Sequence, residues 1–310
     1  MANPTYTAGT YAGEFSGKIL GAALLSASTL DAGAVTIMPN VKYKSVLQVG
    51  AWANVVKGAS CDFDATTTSL TLTEKVLTTK ELQANAQLCK KELRDEWQAI
   101  EMGFSAYADI PASFEEYVIS RVAAQVADAL ETSIWAGASG ADDFDGFQAL
   151  ALADGDVVDV TAVAVDSANV IAQMGAVVDA ANKATLQKSD LTLYVSTNVA
   201  RAYIRALGGF GTSGLGAAGI NSQGTSWYSN GAQLTFEGIP VFVCNGMGNN
   251  KMILTYKSNL FFGTGLTSDI SNEVRFIDMA DKDGSQNVRV IMRYTAGCQI
   301  GIGADIVYYS

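Results

Sequence analysis

Apolar residues recur every four positions from Phe114 through Val118, Val122, Val126, Leu130 and Ile134. That spacing lays a stripe along one helical face and predicts a helix over residues 113–136, with Tyr117 and Ala129 widening the stripe. Ser113 and Glu116 form a capping box at its start, and Gly137 stops it. At ~1.5 Å per residue the element would be a strut roughly 35 Å long. A second helix is expected over 168–182, with Val170, Ile171, Met174, Val177, Val178 and Ala181 on one face. Thr197 opens a third, lined by Val199, Tyr203 and Leu207 and ended by Gly208-Gly209.

Period-two patterns mark the strands. Leu47, Val49 and Ala51 alternate, with Trp52 on the other face, and Leu70 and Leu72 alternate in a return strand. The tip between them is rich in Thr, Ser and Asp, so this long hairpin has little core of its own. A two-stranded ribbon is marginal in water, and this one must cover another surface. Strands are also expected at 191–195, 239–244 and 252–256. A late pair, 274–277 and 288–294, flanks the hairpin signature Asp283-Gly284. A last strand alternates Ile300, Ile302, Ala304, Ile306 and Tyr308. Residues 1–45, rich in Ala, Gly, Ser and Thr, read as an extended arm, and Gly208 to Gly231 as a glycine-rich loop. Helices and strands mix without repeats, and most antiparallel pairing comes late: the class is α+β.

Composition sharpens this picture. Across 310 residues, 49% are hydrophobic and only 16% charged, against about 25% charged in an average soluble domain. Mean hydropathy is +0.18, yet no run approaches the roughly 20 apolar residues of a membrane span. Such a chain is expected to hide surface against other copies. The net charge of −11 and the absence of a basic patch argue against gripping nucleic acid.

Candidate chemistry is sparse. Histidine is absent, which removes the commonest general base and transition-metal ligand. Gly209-Phe210-Gly211-Thr212-Ser213-Gly214 matches G-x-G-x-x-G, but a helix precedes it where a strand is required, so a loop is expected rather than a nucleotide site. Asp142, Asp143 and Asp145 lack the further oxygen ligands of a calcium loop and read as a solvated turn. Cys61, Cys89, Cys244 and Cys298 show no paired spacing, and the N-terminus lacks a secretory n-region, so reduced thiols are expected. No catalytic residue, metal ligand or cofactor is assigned. Trp135 belongs to the helix packing face, whereas Trp52 and Trp227 are candidate interface anchors.

The order of the elements resembles the Hong Kong 97-type major capsid proteins of tailed phages. Leu70-Thr71-Leu72, then Leu82 to Leu88, then Glu92-Leu93-Arg94-Asp95 resemble that family's approach to its spine helix. Trp135-Ala136-Gly137 with Gly146-Phe147 resembles the helix end and following turn, and Gly238-Ile239-Pro240-Val241, Ile253-Leu254 and Asn259-Leu260 the strands before the closing hairpin. The resemblance implies an N-terminal arm (1–45) and an extended loop (46–80). It implies a peripheral domain with the spine helix (81–149 and 272–297) and an axial α/β domain (150–271 and 298–310). It further implies pentamers and hexamers of an icosahedral virion shell, assembled in the host cytoplasm around DNA that is enclosed without specific binding. Portal, scaffolding and possibly decoration proteins would be its partners, with no membrane. Trp52, Lys57, Phe210 and Trp227 are the expected intersubunit contacts. Some members cross-link a loop lysine to a neighbour's Asn beside a Glu; Lys57, with Asn272 or Asn287 and Glu273, offers residues of those types. An encapsulin, a bacterial compartment shell of the same fold, is the alternative, with an α/β enzyme as a rival from another class.

Overall fold

The computed structural model describes residues 28–41, 43–52, 58–59, 61, 70–89, 112–140, 143–207, 234–265 and 275–310. In chain order, a short helix α1 (Ser28–Asp31) leads to β1 (Thr36–Met38), then β2 (Lys44–Trp52), β3 (Leu70–Thr78) and β4 (Lys80–Cys89). The strut helix follows as α2 (Ala112–Ala136), then α3 (Phe147–Ala153), β5 (Val158–Val160), α4 (Val170–Asp179) and α5 (Lys183–Leu186). Next come β6 (Leu191–Ser196), α6 (Thr197–Leu207), β7 (Thr235–Phe236), β8 (Ile239–Cys244), β9 (Met252–Tyr256) and β10 (Leu260–Thr264). The chain closes with β11 (Arg275–Asp278), α7 (Ala280–Asp283), β12 (Asn287–Ile300) and β13 (Val307–Tyr309).

Two sheets and a ribbon organise these elements. In the first sheet β12 is the axis. It pairs antiparallel with β4 along one side, and with β11 and then β10 end to end along the other, while β1 joins β10 in parallel. The second sheet runs β5-β13-β9-β6-β8-β7. Its central strand β6 is covered on both faces, which is why Leu191 to Val195 reads as nearly unbroken apolar sequence. Leu191, Leu193 and Val195 face α4 and α6, packing on Val170, Met174, Val177 and Val199. Tyr194 points the other way, into a core with Trp135, Phe147 and Ile253. The Trp135 ring lies 5.4 Å from Phe147 and 5.2 Å from Tyr194, each such pair adding about 0.5–1.5 kcal/mol beyond area burial. The single helix α2 thus presents Ile134 and Trp135 to the core that both sheets share.

Three expectations need correction. The stretch from Ile300 to Tyr308 is not one strand: β12 ends at Ile300, a 3₁₀ turn occupies Gly303–Asp305, and β13 belongs to the second sheet. Asn259 makes the break, since its side chain accepts from the Ile302 N–H and donates to the Ile302 carbonyl. The Asp283-Gly284 signature closes an antiparallel pair, but through α7, with Gly284 at φ +72° as the left-handed stop. Residues 28–41, expected as part of the arm, are built into the core. Thr29 is fully buried and Val35 nearly so, and the Tyr194 hydroxyl donates to the Ala34 carbonyl at 2.5 Å. The Gly208–Gly231 loop lies outside the described residues.

Candidate functional site

The β2–β3 ribbon is where the sequence places its unexplained apolar surface. The two strands pair antiparallel in unbroken register from Lys44 opposite Thr78 to Trp52 opposite Leu70. Because side chains alternate across a strand, this register sorts the apolar residues onto opposite faces. Val46 sits opposite Val76, and Leu72 opposite Gly50. All three side chains on that face are exposed, Leu72 at 62%, Val46 at 52% and Val76 at 41%, and Tyr43 at the base stands 66% exposed. Leu47 and Val49 lie on the other face, half-buried, opposite Lys75 and Thr73. By sequence, Leu47, Val49, Val55, Leu70 and Leu72 form the apolar set needing cover, and Val55 lies outside the described residues. The register shows instead that the open face is carried by Val46, Leu72 and Val76.

The ribbon's root is fixed firmly. Leu77 is fully buried, and its side chain occupies the space that a Cβ on Gly263 would fill. The Thr79 N–H donates to the Tyr43 carbonyl at 3.0 Å, and Gln299 Nε2 donates to the Val76 carbonyl at 2.9 Å. Lys75 pairs with Asp154 at the end of α3, both side chains being less than a third exposed. Partial burial works to raise the Asp154 carboxyl. Hydrogen bonds from the Lys75 ammonium and the Asp156 amide outweigh it and hold the pKa below its ordinary value.

Of the four predicted contact residues, Trp52 ends β2 in register with Leu70, while Lys57, Phe210 and Trp227 lie outside the described residues. Asn287 opens β12 opposite Cys89; Asn272 and Glu273 are outside the described residues. Asp143 and Asp145 form a hydrogen-bonded turn. Asp145 accepts from the Ser139 amide and Asp143 from the Phe144 amide, while the Asp143 carbonyl accepts from Lys80. The glycine fingerprint at 209–214 is outside the described residues. Among the described residues no set of three His, Cys, Asp or Glu side chains could hold a metal, and no helix is long and apolar enough to cross a membrane. All four cysteines are free, Cys244 and Cys298 buried with thiols pushed well up by burial. A cavity of about 790 Å³ opens between β4 and α2, lined by Gln83, Asn85, Arg121, Val122, Gln125 and Tyr294 among others.

No family model and no curated protein matches the sequence. Solved structures do. The chain superimposes on the capsid chain of the native GTA particle, computed with C5 symmetry, with a TM-score of 0.64, covering 97% of this chain and 95% of that one at 13% identity. The chain has the fold of phage capsid subunits. The capsid of Myoviridae phage XM1 matches with a TM-score of 0.57 at 11% identity, covering 94% of each chain. A Mycobacterium phage Che8 chain matches with a TM-score of 0.56 at 10% identity, over 100% of this chain and 98% of that one. At such identities individual contacts are not shared by sequence. What the chain shares with these capsid chains is the fold, over nearly the whole length of each.

Proposed function

We propose that this chain is the major capsid protein of a tailed phage, a structural subunit that assembles with copies of itself into the icosahedral shell around double-stranded DNA. The observation that carries the reading is a likeness to capsid chains that spans nearly the full length of both partners. The open apolar face of the ribbon supports it, because an isolated domain gains nothing by holding Val46, Leu72 and Val76 in water. Pentamers and hexamers are the assembly units, and the C5 symmetry of the related GTA capsid supports the former. The two sheets support a division into a peripheral part with α2 and an axial part with α4 and α6. Trp52, Lys57, Phe210 and Trp227 are proposed as intersubunit contacts, and portal, scaffolding and decoration proteins as partners.

The chain needs no chemistry of its own for this role. Its work is burial of apolar surface between subunits, repeated around the shell, and with a net charge of −11 it acts as a wall around DNA instead of gripping it. The test is the content of particles purified from cells that carry the chain with its neighbouring genes. Nuclease-protected double-stranded DNA is the expected result. Particles filled with a cargo enzyme instead would replace this reading with the encapsulin one.

A further inference from the structure

Glu131 is a fully buried carboxyl in the middle of the molecule, and nothing in the shell reading uses it. It projects from α2 into the corner where α1 meets the turn after β8. The Thr29 amide donates to its Oε2 at 3.1 Å and the Thr29 hydroxyl to its Oε1 at 2.5 Å. Trp135 Nε1 in turn donates to the Thr29 hydroxyl oxygen at 2.8 Å, and Asn245 lies 3.5 Å from the Ser28 hydroxyl. The corner is closed tightly, since a Cβ on Gly246 would stand 2.1 Å from the Glu131 carbonyl oxygen. No cation is among its partners in the described residues. The ionisable groups on the surrounding elements include Asp31 on α1, Asp128 and, further along, Arg121, Glu116 and Glu115 on α2, and Cys244 at the end of β8; Lys257 reaches to Gly33 just past α1, and Lys251, at the far end of the 245–251 turn, lies over the Tyr308 ring.

We propose that Glu131 is a proton-operated clasp for α1: the neutral acid holds Thr29 in its corner, and ionisation of the carboxyl loosens that hold. The neutral acid reverses one bond to Thr29 and keeps the other. Its O–H donates to the Thr29 hydroxyl oxygen, the Thr29 N–H donates to the other carboxyl oxygen, and no charge remains in the core. The ionised form leaves an anion in apolar surroundings with only neutral donors to offset the lost hydration. Lifting α1 would return that anion to water. Burial is the largest influence on this carboxyl and outweighs the bonds from Thr29, Trp135 and Ser28, so its pKa is raised above 4.5. The sign follows. A group whose pKa is higher when clasped contributes its full stabilisation below the released value and loses it as pH rises through the clasped value. What the proton sets is the grip on the root of everything that precedes Ser28.

The test is hydrogen exchange in the full-length chain, read as protection factors at the Ala32 and Ala34 amides, which bond the Ser28 and Thr29 carbonyls. Between about pH 4 and about pH 8 the wild-type protection should fall, by up to about tenfold per pH unit while the clasped and released forms differ in protonation. Glu131→Gln, which reproduces the neutral acid, should hold its protection flat. Thr29→Val removes a donor to the ionised form, so the fall should extend to higher pH. Parallel profiles for wild type and Glu131→Gln would overturn the proposal. If Glu131→Gln does not fold, an unshifted profile in Thr29→Val would overturn it equally.

Discussion

Gly246 lies where three elements converge, and its lack of a side chain is a packing requirement. An added methyl would meet the Glu131 backbone at 2.1 Å and the Thr132 Cα at 2.8 Å, atoms that cannot swing aside. Gly246→Ala is therefore expected to cost at least about 3 kcal/mol and to leave little soluble protein, measured by denaturant unfolding. Asp154 predicts a pH dependence of the opposite sense to that of Glu131. Its lowered pKa means that the Lys75 pair stabilises the fold above the ordinary carboxylate range and is lost only as pH falls through the depressed value. Asp154→Asn should cost about 1–2 kcal/mol at neutral pH and little in strong acid, as followed by thermal melts. Some of these residues are legible in the sequence and others are not. The four-residue repeat identifies Val126, Leu130 and Ile134 as core, and all three are buried. The same repeat widens the stripe to Ala129, which is exposed, and passes over Glu131, which is buried. A carboxyl is buried there only because Thr29 supplies donors from 102 positions away, and no local pattern records that.

The ribbon is the element that most clearly points beyond a single chain. Its strands are evident from alternation, but which side chains share a face depends on register, and the sequence between the strands carries no sharp turn signal. Other elements obey the same limit. β12 reads clearly from Val288 to Tyr294, yet it continues to Ile300 because β10 offers it a partner. Its break from β13 depends on Asn259, which lies more than forty positions earlier in the chain. α1 and β1 are hidden because three or four residues cannot show a period; their place comes from β10 and α2. For the ribbon, the expected experiment replaces residues 58–69 with a short Gly-Ser link, and in a second variant changes Leu72 and Val76 to Ser. Both leave Leu77 in the core, so circular dichroism should be unchanged and stability should move by no more than about 0.5 kcal/mol per exposed site. Particle formation, followed by light scattering, should fail or become fragile. Unfolding of the shortened chain would make the ribbon part of the core, and normal assembly would show that it is no clasp.

At the scale of the whole molecule, two sheets share one aromatic core around Trp135, with helices covering the outer face of the second sheet. Both clusters close within the chain, so the body is expected to fold before it meets a partner. Among the described residues, the exposed apolar side chains include a cluster on the ribbon, Tyr43, Val46, Leu72 and Val76, and others spread singly over the body, such as Leu152, Val163 and Ile171. Low charge content and a positive mean hydropathy fit a subunit that buries surface against other copies, and both are visible in composition alone. The central claim is that this chain builds a closed shell, and electron cryomicroscopy of the purified protein, alone and with its companion assembly proteins, tests it most directly. The account predicts closed particles with fivefold vertices in which Val46, Leu72 and Val76 are buried against the adjacent subunit. Dispersed monomers of 32.5 kDa under every condition, or shells in which that ribbon face stays open to solvent, would contradict it.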